Sequence, residues 1–151
     1  MKIADLLAPD AVIDLTGDTP AEVLAELAAP VARAQGLDAA ALAAALAERE
    51  RLGSTGVGEG VAIPHARVHG LPGLAAAFGR RRGGLDFKAL DGKPATLFLA
   101  LFAPESSGGT HLHALAKASR IFRSAAFRER ALAAPDAAAL RAVLVEEDGK
   151  P

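Results

Sequence analysis

The chain of 151 residues has no cysteine, no tryptophan and no tyrosine, and only one methionine and six phenylalanines. Without cysteine there can be no disulfide, no thiolate metal site and no cysteine nucleophile, and the composition suits a reduced, intracellular setting. No sign of charge dominates. The net charge is −1 and the isoelectric point near 6.4, so bulk charge gives no reason to expect nucleic acid or an anionic membrane as partner. No apolar run approaches the roughly 20 residues of a membrane helix. Asp5, Pro9, Asp10 and Asp14 interrupt the N-terminal stretch where a signal peptide would need its apolar core. These absences predict a soluble, cytoplasmic protein, one domain over residues 1–151. A domain of this length buries roughly 68–70% of its unfolded surface, enough for a core without covalent staples.

What is present alternates between short apolar runs and helical periodicity. Ala11–Leu15 is a strand candidate. Thr19, Pro20 and Glu22 form a helix start, with threonine as cap, proline in the first turn and glutamate closing a capping box. Val23, Leu24, Leu27 and Val31 follow at helical spacing, Pro30 is expected to kink or end the helix, and Gly36 stops it. Asp38 caps a second helix running to Leu52. Val61–Ile63 is a short strand, His69–Gly73 a turn, Leu74–Gly79 a strand, and Arg80–Gly84 a solvated surface turn. Ala95–Ala103 is apolar throughout and predicts a central strand covered on both faces. Three helices complete the chain. One spans His111 to about Arg123, capped by Thr110; one spans Phe127–Ala133; the last is capped by Asp136. The phenylalanines at 98, 102 and 122 suit a core better than a stacking platform. The pattern predicts an α/β fold, a mixed sheet of about five strands with helices on both faces.

The chemistry concentrates in Gly53-Ser54-Thr55-Gly56-Val57-Gly58-Glu59-Gly60-Val61-Ala62-Ile63-Pro64-His65, where four glycines lie in eight residues and a proline precedes a histidine. Gly53 and Gly58 have the spacing of a phosphate-binding P-loop. Glu59 and Gly60 stand where that motif needs lysine and serine or threonine, however, and the order is helix, loop, strand instead of strand, loop, helix. Zinc is poorly served. His65 and His69 lie four apart, but Pro64, Gly70 and Pro72 argue against the helix that would align them, and His111 and His113 diverge on a helix. Phosphoryl transfer on histidine fits better. Pro64 ends the ladder and leaves His65 at a strand end, on rigid backbone yet reaching solvent. A neutral imidazole is a competent nucleophile. His111 lies in a helix's first turn, where free amides favour an anion and disfavour imidazolium. The amides of Ser54, Thr55 and Gly56 can cradle phosphate, and Arg49 can neutralise its charge. On residue chemistry alone the plainer reading, an exposed strand-end histidine and a polar residue in a helix's first turn, is the more economical.

The run Arg49–Arg67 resembles the IIA domains of the bacterial phosphotransferase system, in the fructose/mannitol branch that includes the nitrogen-type regulatory IIA proteins. Thr110-His111-Leu112-His113-Ala114-Leu115 resembles the same branch at the right distance downstream. The resemblance implies His65 as phospho-acceptor, His111 as the second active-site histidine and Arg49 as the nearby arginine. It implies no cofactor or metal, and a fold with a mixed sheet of about five strands. The implied donor is the phosphocarrier HPr or its nitrogen-type counterpart. Downstream stands either a IIB domain, phosphorylated on cysteine, or a regulated transporter or sensor kinase. The Gly-Ser-Thr-Gly and Thr-His-Leu-His wording is closer to the nitrogen type. The alternatives are a sugar-transport IIA component and, of another class, an interaction module that transfers no phosphate. Val57, Val61 and Leu112 are the expected apolar docking residues around His65.

Overall fold

The computed structural model describes residues Met1–Pro151. A short 3-10 turn, Ile3–Leu6, leads into β1 (Leu7–Asp14), followed by α1 (Pro20–Gln35), α2 (Ala39–Arg51), β2 (Gly56–Gly58), β3 (Val61–Ala62), β4 (His65–Val68), β5 (Ala75–Leu85), β6 (Ala95–Pro104), α3 (Gly109–Arg123), α4 (Ala125–Ala133) and α5 (Ala137–Asp148). Across the sheet the order is β1-β5-β6-β3-β2, and β4 continues the line of β3 along β6. There are therefore six strands in five positions. β1 runs parallel to β5, β5 antiparallel to β6, β3 and β4 parallel to β6, and β2 antiparallel to β3.

β6 is the central strand, and its pattern shows why. Phe98, Ala100 and Phe102 join one apolar cluster with Leu24 and Leu27 of α1 and Leu42 and Leu46 of α2. Leu97, Leu99 and Leu101 point the other way, into a cluster with Ile121 and Phe122 of α3, Phe127 of α4 and Leu140 and Leu144 of α5. Side chains alternate across a strand, so only a run apolar at every position can serve two helix layers. The helix ends obey their local signals. Thr19 Oγ1 accepts the Glu22 amide at 3.2 Å and its hydroxyl donates to Glu22 Oε1 at 3.0 Å. Gly36 takes the left-handed φ of 67° that closes α1. No helix is long and apolar enough to cross a membrane.

Four expectations change. Pro30 does not end α1, which runs on to Gln35, and Pro30 is buried within it. Thr110 is not the cap of α3. Gly108 holds that position with no side-chain bond, and Thr110 lies inside the first turn. Arg80–Gly84 is not a surface turn but part of β5. Arg80 is wholly buried. Its Nε and Nη2 donate to the two carboxylate oxygens of Asp14 at 2.8 and 3.1 Å, and its Nη1 donates to the carbonyls of Ala131 and Ala134 at 2.7 and 2.6 Å. Strand alternation sends Arg81 outward, to Asp18 at 3.0 Å. The fourth change concerns His65. β3 ends at Ala62, but the ladder does not stop there; pairing with β6 resumes in β4, which begins with His65.

The chain ends are tied together by a buried carboxylate. Asp148 accepts the Ala4 amide at 2.8 Å and lies 3.0 Å from Lys117 Nζ. Burial pushes the Asp148 carboxyl up, but the Ala4 amide and the Lys117 ammonium outweigh it and hold it below the ordinary 3.8.

Candidate active site

Pro64 breaks the line between β3 and β4, yet its carbonyl still accepts the Leu101 amide at 2.9 Å, so the chain stays registered on β6 through the break. In β4, Ala66 and Val68 belong to the cluster under α1 and α2. His65 and Arg67 therefore face the other way. His65 lies in register with Leu101, whose side chain belongs to the α3 side. The first turn of α3 brings His111 there, and the two imidazole centroids are 5.5 Å apart with planes inclined at 66°. Arg49, in the last turn of α2, completes the group, its guanidinium donating to the Gly53 carbonyl at 2.9 Å. Glu48, Arg49, Leu52, His65, Arg67 and His111 share one open pocket of about 460 Å³.

His65 is half-buried and its Nδ1 lies 2.8 Å from the Ile63 carbonyl. A carbonyl only accepts, so the bond requires the proton on Nδ1 and leaves the lone pair on Nε2. His111 is 7% exposed, and its Nδ1 is sealed from solvent without a partner. Burial first, then the electrostatic influence of His65 and of Arg67, hold His111 below the ordinary imidazole value of 6.5. A histidine kept neutral by the fold but protonated when unfolded costs stability as pH falls below 6.5 toward its folded value. In a proton-resolved NMR titration His111 is expected to remain neutral at pH values where an exposed histidine is already charged. Titration of His111 at or above 6.5 would contradict this.

Ser54, Thr55 and Gly56 do not join this group. The Gly56 amide donates to Ser54 Oγ at 3.0 Å, and the Thr55 amide donates to Glu50 Oε2 at 3.0 Å, so both are already engaged within the chain. Ser54 lines a different pocket, with Pro20, Glu50, Arg51 and Phe87. The glycines have a conformational use. Gly58, Glu59 and Gly60 have φ of 88°, 57° and 79°, three left-handed residues in a row that turn β2 back into β3.

Arg67 escaped the sequence reading. Its signal was the i, i+2 spacing from His65, which has meaning only if a strand continues past Pro64. Among the expected docking residues, Val57 and Leu112 are exposed, whereas Val61 is 3% exposed and belongs to the core. Leu52, 80% exposed at the pocket rim, was not anticipated. His69 pairs with Glu105 at 2.8 Å, away from the pocket. No cluster of three or more metal-ligating side chains is present.

A buried imidazole beside a half-buried one, with two arginines at the mouth of an open pocket, can hold an anion beside a nitrogen nucleophile. Residues 7–147 match the family described as phosphoenolpyruvate-dependent sugar phosphotransferase system, EIIA 2, and the chain belongs to that family. It is thus a phosphoryl-transfer component of the phosphotransferase type. The chain is 39% identical to the nitrogen regulatory protein of Bradyrhizobium diazoefficiens over 95% of both chains. It is 34% identical to the fructose-specific EIIABC component of Bacillus subtilis over 98% of this chain but 24% of that longer one. The crystal structure of nitrogen regulatory protein IIA-Ntr from Neisseria meningitidis superposes with a TM-score of 0.86 at 35% identity, covering 94% of this chain and 98% of the other.

Proposed function

We propose that His65 Nε2 accepts a phosphoryl group from an HPr-like phosphohistidine donor and that the chain acts as a nitrogen-type regulatory IIA protein. The observation that carries the chemistry is the bond from His65 Nδ1–H to the Ile63 carbonyl at 2.8 Å. It presents Nε2 with its lone pair before the donor arrives. As the new N–P bond forms, the donor's P–N bond breaks and the donor imidazole keeps the electron pair. The His65 ring then carries both a proton and phosphorus and becomes cationic. Its bond to the Ile63 carbonyl becomes charge-assisted and strengthens as the reaction proceeds. Arg49 and Arg67, at the pocket mouth, balance the charge on the transferring group. His111, neutral, has its Nδ1 sealed, which leaves Nε2 to donate to a phosphoryl oxygen without repelling the newly cationic ring. Leu52, exposed at the pocket, and Leu112, exposed on the turn of α3 that carries His111, supply apolar surface for a transient partner, whose interface lies below about 1,200 Å². Val57 lines a separate cavity with Ser119 and Phe122.

The regulatory reading rests on the relatives, nitrogen regulatory proteins matched over nearly their full length. Phosphorylation adds about −1.5 to −2 of charge to a rim otherwise suited to an apolar contact, so one residue can change which partner fits. The test compares two donors and one acceptor. Phosphorylation by the nitrogen-type carrier is expected to outpace that by HPr, and the phosphorylated chain is expected not to load the cysteine of a fructose-type IIB domain. Rapid transfer to that cysteine would instead support the sugar-transport role.

A further inference from the structure

The presentation of His65 has its origin two hydrogen bonds further back, at the end of α2. Glu50, in the last turn of that helix, holds Thr55 twice. Its Oε2 accepts the Thr55 amide at 3.0 Å, and its Oε1 accepts the Thr55 hydroxyl. Thr55 is 5% exposed, and both bonds are partly buried. The Thr55 carbonyl then accepts the Ile63 amide at 3.0 Å, and the Ile63 carbonyl accepts His65 Nδ1–H at 2.8 Å. A chain of hydrogen bonds thus runs from one carboxylate, through the backbone of two residues, Thr55 and Ile63, to the ring nitrogen opposite the nucleophile.

We infer that Glu50 is a positioning residue for phosphoryl transfer, acting through Thr55 and Ile63 to hold His65 in the Nδ1–H tautomer with Nε2 aimed into the pocket. The proposal rests on the reading of His65 as acceptor. Its neighbour Arg49 faces the pocket from the same helical turn, while Glu50 faces away from it. The geometry explains that division. Residues 56–60 contain three left-handed positions, and the anchors from Asp91 to the Glu59 amide and from Thr96 to the Gly60 carbonyl lie beyond the peptide that must register against Ile63, so that peptide needs a fixed point of its own. The Glu50 carboxylate is that point. Without it the Thr55 carbonyl loses its orientation, the Ile63 peptide can rotate, and the His65 proton is free to move to Nε2. An imidazole protonated at Nε2 has no lone pair there with which to attack phosphorus.

Phosphoramidate tests this without any protein partner. Its P–N bond breaks, ammonia leaves and the His65 Nε2–P bond forms, so the rate reads the acceptor alone. Glu50→Ala is expected to lower the labelling rate of the folded chain roughly tenfold, the scale of a loosened attack geometry. Nitrogen-15 NMR of the ring is expected to move His65 from the Nδ1–H toward the Nε2–H tautomer. Glu50→Gln keeps one acceptor oxygen and should recover part of both signals. Thr55→Val removes the hydroxyl alone and should lose part of both, which keeps the test intact if Glu50→Ala does not fold. Parental rates and an unchanged tautomer in folded Glu50→Ala, with His65→Ala inert, would overturn the role of Glu50 and leave the acceptor in place. A lowered rate with an unchanged tautomer would overturn it as well, since Glu50 would then act by charge. Equal labelling of His65→Ala would instead overturn the acceptor reading and the proposal with it.

Discussion

His65→Ala is expected to accept no phosphate. Intact-mass measurement in neutral buffer, after incubation with phosphoenolpyruvate, enzyme I and HPr or their nitrogen-type counterparts, should show one acid-labile phosphoryl group on the parent and none on the variant. The expectation is all-or-none because no other group in the pocket can replace His65 Nε2. His111 is 7% exposed, its Nδ1 is sealed, and in the proposed role its Nε2 carries the proton and has no lone pair to offer. The arginines carry no lone pair. Removing His111 should therefore slow transfer without moving the label. A stable phosphate on His111, or labelling of His65→Ala at the parental level, would sink the assignment.

The largest effect on stability is expected at Arg80, well away from the pocket. Its guanidinium joins β1, β5 and the end of α4 through Asp14 and the carbonyls of Ala131 and Ala134. Arg80→Ala leaves two carbonyls without their donor and a cavity where the side chain lay. Removing one partner of a buried pair costs about 3–5 kcal/mol. The Asp14 side chain is 40% exposed and can recover water, which puts the loss near the lower end, about 3 kcal/mol. For a domain of this size that corresponds to a fall in Tm of roughly 6–12 °C. Its hydrogen bond to Arg80 holds the Asp14 carboxyl below the ordinary 3.8, against a smaller upward push from burial. Stability from this pair is thus present above 3.8 and lost as pH falls through the lower folded value. Urea unfolding of Arg80→Ala against the parent at neutral pH measures the effect, and a loss below about 1 kcal/mol would show that the buried pair is energetically idle.

Sequence reading and structure part at places with a common cause. Local signals sufficed at most helix ends, with Thr110 the exception, where Gly108 takes the cap position instead. Thr19 with Glu22, Asp38, Gly36 and Asp136 all act within four residues, and all sit at the ends they announced. The alternation of β6 needed no partner to be recognised, because an uninterrupted apolar run has only a two-faced burial available to it. Arg80 failed for the opposite reason. Arg80-Arg81-Arg82-Gly83-Gly84 looks solvated until Asp14, 66 residues away in sequence, and the end of α4 arrive to pair with it. Pro64 misled similarly. A proline removes one amide, but the Leu101 amide of β6 still donates to the Pro64 carbonyl, and pairing with β6 resumes through His65 and Arg67.

For the proposed site, the chain by itself determined the family and supplied the candidate residues. Arg49, His65 and His111 were legible as residue types in a recognisable wording, and so was the neutral character expected of a histidine in a helix's first turn. Tertiary structure decided everything that depends on direction. Strand alternation decided that Arg67 joins His65 and that Val61 is core. The Ile63 carbonyl decided which nitrogen of His65 keeps its lone pair. Residues 53–60 carry glycines enough for a phosphate cradle, but whether their amides are free depends on what else is near. Glu50, Ser54 and Asp91 already accept from them. Hydrogen-bond partners are chosen among groups brought close by folding, and a linear sequence holds the donors and acceptors without saying which will meet.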